Sequence, residues 1–126
     1  MKNKLLFGFV VLLCACTNSG GTWQHYRLSA LTEAEERGMT IYLHFFQAEN
    51  KICEKQKSEL EGLIKEKAFE KVGAYRVAWG TEKALQNFYK VTEPCALLIL
   101  KGDQLKTRIT SDVGPELLKM ALKQGL

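Results

Sequence analysis

Two apolar runs organise the chain. Thr40–Phe46 (Thr-Ile-Tyr-Leu-His-Phe-Phe) is β-branched and aromatic with almost no polar break, and Ala96–Leu100 is wholly apolar. Short runs without alternation are what a strand covered on both faces requires. Around them the pattern shifts to helical spacing. Leu28, Leu31 and Ala34 recur at three-residue steps within Leu28–Arg37, and Gly38 supplies a stop. Asn50 is a good cap for a helix reaching about Lys67, with Ile52, Leu60, Leu63 and Ile64 as its inner face. Two more helices are predicted. One is Thr81–Lys90, carrying Ala84, Leu85 and Phe88; the other is opened by Gly114-Pro115 and carries Leu117, Leu118, Ala121 and Leu122. Pro115 fits the first turn, where its missing N–H costs nothing. Trp23–Tyr26 and Ala74–Trp79 read as strands, and Gly102-Asp103 turns the second apolar run back into Gln104–Ile109. The order β-α-β-α-β-α-β-β-α predicts a mixed sheet with parallel pairs and an antiparallel hairpin at one edge.

The N-terminal stretch follows a different pattern. Lys2 and Lys4 precede Leu5–Leu13, which is apolar apart from Gly8, and Asn18–Gly21 is polar. The apolar run is too short for a permanent bilayer span and fits a secretory signal. Its end, Leu13-Cys14-Ala15-Cys16, resembles a lipobox, in which the last cysteine is lipidated and becomes the new N-terminus. That implies a signal peptide over 1–15, a lipidated tether over 16–22 and one domain over 23–126. Acyl chains on Cys16 would hold the domain at a membrane in the cell envelope, facing the periplasm. Thr17, where an Asp would favour inner-membrane retention, favours the outer membrane. The competing expectation is an unlipidated signal cut elsewhere, or a short anchor that stays.

With 46% apolar and 25% charged residues among 126, the rest is an ordinary globular domain. The formal charge of +4 includes Lys2 and Lys4, and there is no basic run, so nucleic acid is excluded as an expected partner. Of four cysteines, Cys14 and Cys16 belong to the leader; Cys53 and Cys95 remain, in a compartment where a disulfide can persist. No paired-ligand spacing suggests zinc, and there is no phosphate loop or nucleophile elbow, so neither a metal nor a cofactor is expected.

A set of residues in a fixed order then narrows the reading. Ile41–Phe46 leads into Asn50-Lys51-Ile52-Cys53 at the head of a helix. Val91-Thr92-Glu93-Pro94 precedes the second apolar strand, and Lys101-Gly102-Asp103 forms the hairpin turn. This arrangement resembles the thioredoxin family over nearly all of Thr22–Leu126, and Trp23 with the helix Leu28–Arg37 looks most like its periplasmic subgroup. The resemblance implies an α/β fold of three layers, α/β/α, around a mixed central sheet. It also implies a redox site at positions 50 and 53 and a cis-proline at Pro94. The chain departs from the pattern at the reactive position: Asn50 stands where the first cysteine belongs, and Glu49 where a tryptophan does. Exchange in this family uses two thiols, one to attack and one to resolve.

Asn50 carries no sulfur, so the expectation is a degenerate site. The chain would then be a non-enzymatic, tethered module holding an extended peptide or an envelope protein in a groove of Asn50, Lys51, Ile52, Glu93 and Pro94. The alternative is an atypical thiol–disulfide oxidoreductase using Cys53 with Cys95, with His44 as a base. A third, weaker expectation is an envelope factor for cytochrome or disulfide maturation. Cys95 follows the proline and should face the base of the helix. A structural Cys53–Cys95 disulfide, two inert buried thiols and a redox-active pair all stay open; a Cα separation above about 7 Å would exclude a bond. The plainer readings are a hydrogen-bonded core histidine for His44 and a solvated charge for Glu93. His25 reads as surface.

Overall fold

Thr40–Phe46 forms strand β2, and the absence of polar breaks places it at the middle of the sheet. The computed structural model describes residues 21–126. The expected signal peptide, Cys16 and most of the expected tether lie outside them. Strand β2 pairs in parallel with β3 (Gly73–Ala78) and antiparallel with β4 (Leu97–Lys101). Strand β1 (Trp23–His25) adds in parallel outside β3, and β5 (Gln104–Ile109) antiparallel outside β4, giving the order β1-β3-β2-β4-β5.

Alternation along β2 sorts its side chains into two cores. Ile41, Leu43 and Phe45 join Tyr75, Val77, Leu98 and Leu100 on one face. There they meet Leu31 and Ala34 of helix α1 (Leu28–Glu36) and Leu85 of helix α3 (Lys83–Phe88). Tyr42, Leu97 and Ile99 point the other way, onto Leu60 of helix α2 (Lys51–Leu63) and Leu118 and Leu122 of helix α4 (Pro115–Lys123). The result is three layers, α/β/α, around a mixed sheet, as the sequence leads one to expect. Burying a side chain the size of Leu43 or Phe45 contributes roughly 1.5–3 kcal/mol, and β2 and β4 each bury several such side chains completely. Two hydroxyls fasten the C-terminal end of the chain to it: Tyr42 donates to the Leu122 carbonyl at 2.8 Å, and Thr40 to that of Gly125. Gly38, at φ +68, closes α1 in the left-handed conformation that favours glycine, and the Met39 N–H returns to the Ala34 carbonyl.

Four expectations are corrected. Helix α2 ends at Leu63, and Lys67–Phe69 forms a separate 3-10 turn that sends Phe69 into the core against Tyr42. Its inner face is Cys53, Gln56, Leu60 and Ile64, not Ile52, which is largely exposed. The stripe from Cys53 through Gln56 to Leu60 and Ile64 follows the helical period; Ile52 lies one position off it. Helix α3 is shorter than Thr81–Lys90, and its Phe88 faces solvent. Among the described residues no peptide bond is cis, so Pro94 is not a cis-proline.

Candidate redox site

The site lies where β2 ends and α2 begins. Between them Glu49 takes a positive φ of 65°, and Asn50 follows as the N-cap. The Asn50 Oδ1 accepts from the N–H groups of Ile52 (3.0 Å) and Cys53 (3.2 Å), and its Nδ2 donates to Gln47 Oε1 at 2.9 Å. A cap of this kind contributes about 1 kcal/mol. Its role here is architectural: it fixes the first turn and holds Cys53 at the third helical position. Cys53 is fully buried.

Cys95 comes from the other side of the sheet's centre, on the loop before β4. Its N–H donates to the Phe45 carbonyl at 2.7 Å, and the Phe45 N–H donates to the Ala96 carbonyl at 2.9 Å. The β2–β4 ladder is thus prolonged past Leu97. With Cys95 at φ 75°, the loop delivers its side chain to the head of α2. Cys53 and Cys95 form a disulfide across a Cα separation of 4.8 Å, 42 residues apart in sequence. Both cysteines are buried, Cys53 at 0% exposure and Cys95 at 4%, so Cys95 is the less deeply buried residue of the pair. The Gln47 N–H donates to the Cys53 sulfur at 3.4 Å, and the Phe45 carbonyl lies 4.0 Å from that sulfur.

This bridge overturns the reading of a degenerate site. Asn50 does lack sulfur, but the second cysteine is supplied from the loop before the neighbouring strand β4, 42 residues on, rather than from three residues upstream. The chain keeps a complete cysteine pair. The expectation of a binding module without enzymatic chemistry falls with it.

His44 is fully buried on the α2 face of β2. Its Nε2 is hydrogen-bonded to Gln56 Oε1 at 2.9 Å, and its Nδ1 and the Gln56 Nε2 have no partner among the described residues. Burial lowers its pKa from 6.5 to about 4; the Gln56 hydrogen bond opposes this and the nearby Arg76 charge adds to it. The described hydrogen bond therefore turns His44 toward Gln56. A group that stays neutral when folded, but takes up a proton near pH 6.5 when unfolded, contributes stability above that pH and loses it as the pH falls toward 4. The domain should be destabilised by about 2 kcal/mol at pH 5 relative to pH 7. Urea unfolding at the two pH values measures this. His44→Leu should flatten the dependence while lowering stability at pH 7, because Gln56 loses its partner.

The five groove candidates are not gathered into one cavity. A hollow of about 200 Å³ includes Glu93 with Lys90, Thr92 and Arg108, but not Asn50, Lys51, Ile52 or Pro94. Lys51 and Glu93 are exposed, Pro94 is half-buried, and His25 is on the surface as expected. Arg108 closes the hollow by donating to the carbonyls of Tyr89 (2.7 Å) and Lys90 (3.5 Å), bracing the loop that leads to Cys95. Sequence reasoning missed Gln47, Gln56 and Arg108. Of these only Gln56 carried a signal, a polar side chain on the same helical stripe as Cys53 and Leu60. Among the described residues no cluster of His, Cys, Asp or Glu could hold a metal ion, and no helix is long and apolar enough to cross a membrane.

No family model and no curated protein matches the chain. Solved structures do. Trxlp from Edwardsiella tarda EIB202 superposes with a TM-score of 0.77 at 22% identity, over 80% of this chain and 98% of that one. The thioredoxin of Malassezia sympodialis gives a TM-score of 0.73 at 15% identity, over 84% and 91%. The thioredoxin of Trypanosoma brucei brucei gives 0.70 at 11%, over 86% and 93%. The fold is thioredoxin-like.

Proposed function

We propose that the chain is a thiol–disulfide exchange protein whose working couple is Cys53–Cys95. The observation that carries this reading is the bridge itself, set at the head of α2 with Cys53 fully enclosed and Cys95 the less enclosed of the two. A substrate thiolate attacks the Cys95 sulfur; the Cys53–Cys95 bond breaks, a mixed disulfide forms on Cys95, and Cys53 leaves as a thiolate. That thiolate meets the Gln47 N–H and the positive end of α2, both of which favour negative charge. A second substrate thiolate then attacks the substrate sulfur of the mixed disulfide and releases Cys95. The sum is a two-electron exchange: one protein disulfide is reduced to a dithiol and one substrate dithiol is oxidised, and the sequence runs equally in reverse.

The lipobox-like Leu13-Cys14-Ala15-Cys16 supports a place in the cell envelope, tethered through Cys16, with envelope proteins presenting cysteines on extended segments as substrates. A compartment that sustains disulfides fits a couple of this kind. The test is a set of glutathione redox buffers together with turnover of a fluorogenic glutathione disulfide. The expected result is reversible reduction of the native bridge and turnover that disappears in both Cys53→Ser and Cys95→Ser. A bridge that opens only on denaturation, or turnover that survives in both variants, would overturn the reading.

A further inference from the structure

On the face of the sheet away from α2, helices α1 and α3 do not close over the core completely. A hollow of about 470 Å³ lies between them, walled by Tyr26, Leu31, Leu85 and Tyr89. Two large apolar side chains stand on its lips, Leu28 at 66% and Phe88 at 75% exposure. Such residues are normal when scattered, but here both border one concavity. Two carboxylates, Glu35 and Glu82, line the same space, and the Tyr89 hydroxyl donates to Glu35 at 3.3 Å.

The charge in the hollow is negative although the chain as a whole is basic. After burial, the causes that raise the Tyr26 phenol are the charges of Glu82 and Glu35. Tyr89 is raised to about 12 by burial and Glu35, with smaller effects from Tyr26 and Asp103. Arg27 also lines the hollow, so two carboxylates stand against one guanidinium and the space keeps a net negative charge. The hollow therefore combines apolar walls, aromatic rings and an excess of carboxylate. That is the chemistry that takes a guanidinium or ammonium on an apolar arm.

We propose that the α1–α3 hollow is a docking site for a partner protein, receiving an arginine or lysine flanked by apolar side chains. The basic group would sit between Glu35 and Glu82, and its apolar neighbours would cover Leu28 and Phe88. The exposed lips favour a protein segment over a free small molecule, because a ligand confined to the hollow would leave both side chains in water. The site is on the opposite layer from the helix that carries Cys53, so a docked partner leaves the head of α2 uncovered.

Titration of the ¹⁵N-labelled protein with capped tripeptides tests this. A Leu-Arg-Leu peptide should shift the amide signals of Leu28–Glu36 and Lys83–Phe88 saturably, and a Leu-Glu-Leu peptide should not. The affinity should fall about tenfold in Glu35→Gln/Glu82→Gln, and also in Phe88→Ala, a surface change that leaves the core intact. The spectrum itself reports whether each variant is folded. Equal responses to the two peptides would overturn the charge assignment. Butylguanidinium binding as tightly as the peptide would overturn the protein partner. Shifts confined to the surroundings of Cys53 and Cys95, or none at millimolar peptide, would overturn the site.

Discussion

Cys53→Ser protein offered a disulfide substrate should accumulate a mixed disulfide through Cys95, whereas Cys95→Ser protein should accumulate far less. Both should lose turnover by about a thousandfold or more, as expected when one member of a two-sulfur unit is removed. The asymmetry follows from depth. Cys53 lies under the first turn of α2 with its sulfur between the Gln47 N–H and the Phe45 carbonyl, so a substrate sulfur has no line of approach to it. Cys95 lies on the loop before β4 and is the less deeply buried of the two, at 4% exposure. Trapping with a disulfide-bearing peptide, which transfers one sulfur to the protein and releases the other as a thiol, separates the two variants by intact-mass spectrometry. Equal trapping in both would show that the sulfurs are equally accessible and would remove the assigned roles.

Reduction of the native bridge should lower the thermal midpoint by about 15 °C. Closing a loop whose ends are 42 residues apart restricts the unfolded chain by about 4 kcal/mol, and for a domain of this size each kcal/mol moves the midpoint by about 4 °C. The same coupling acts on the sulfur chemistry. If the bond stabilises the fold, the fold stabilises the bond to the same extent, which makes the couple more reducing than an unconstrained dithiol by about 90 mV. Calorimetry with and without dithiothreitol checks the first quantity, and the glutathione titration checks the second. A midpoint unchanged by reduction would mean that packing alone holds the head of α2 against β4, and the shift in potential should then vanish as well.

Most of the architecture could be read from spacing. Thr40–Phe46 has no polar break, so it had to be covered on both sides, and a central strand is the only place in this fold that covers it. The sequence pattern carries helix α2 too far for a local reason: Lys65, Glu66 and Lys67 are good helix formers, and nothing in their pattern halts the helix. The stop is tertiary, set by Phe69 turning in against Tyr42. The site is hidden for a related reason. The family pattern puts the nucleophile three residues before Cys53, in the same turn, and Asn50 there is a complete and sufficient helix cap. The sulfur that completes the pair is brought to 4.8 Å only by the pairing of β2 with the loop before β4. Linear spacing could leave that pairing open but could not decide it. Its partners Gln47 and Arg108 act through a backbone N–H and through contacts with backbone carbonyls, which a residue pattern does not encode.

The covalent ring closed by Cys53 and Cys95 contains α2, β3 and α3, and so includes a strand from the interior of the sheet. Pulled from its two ends, the domain can therefore pay out only the chain that lies outside the ring. Opening the bond frees the remainder, on the order of 140 Å of hidden length at 3.3–3.6 Å per residue. For a domain held to a surface at one end and to a client at the other, the oxidation state of a single bond would set how far the two can be drawn apart.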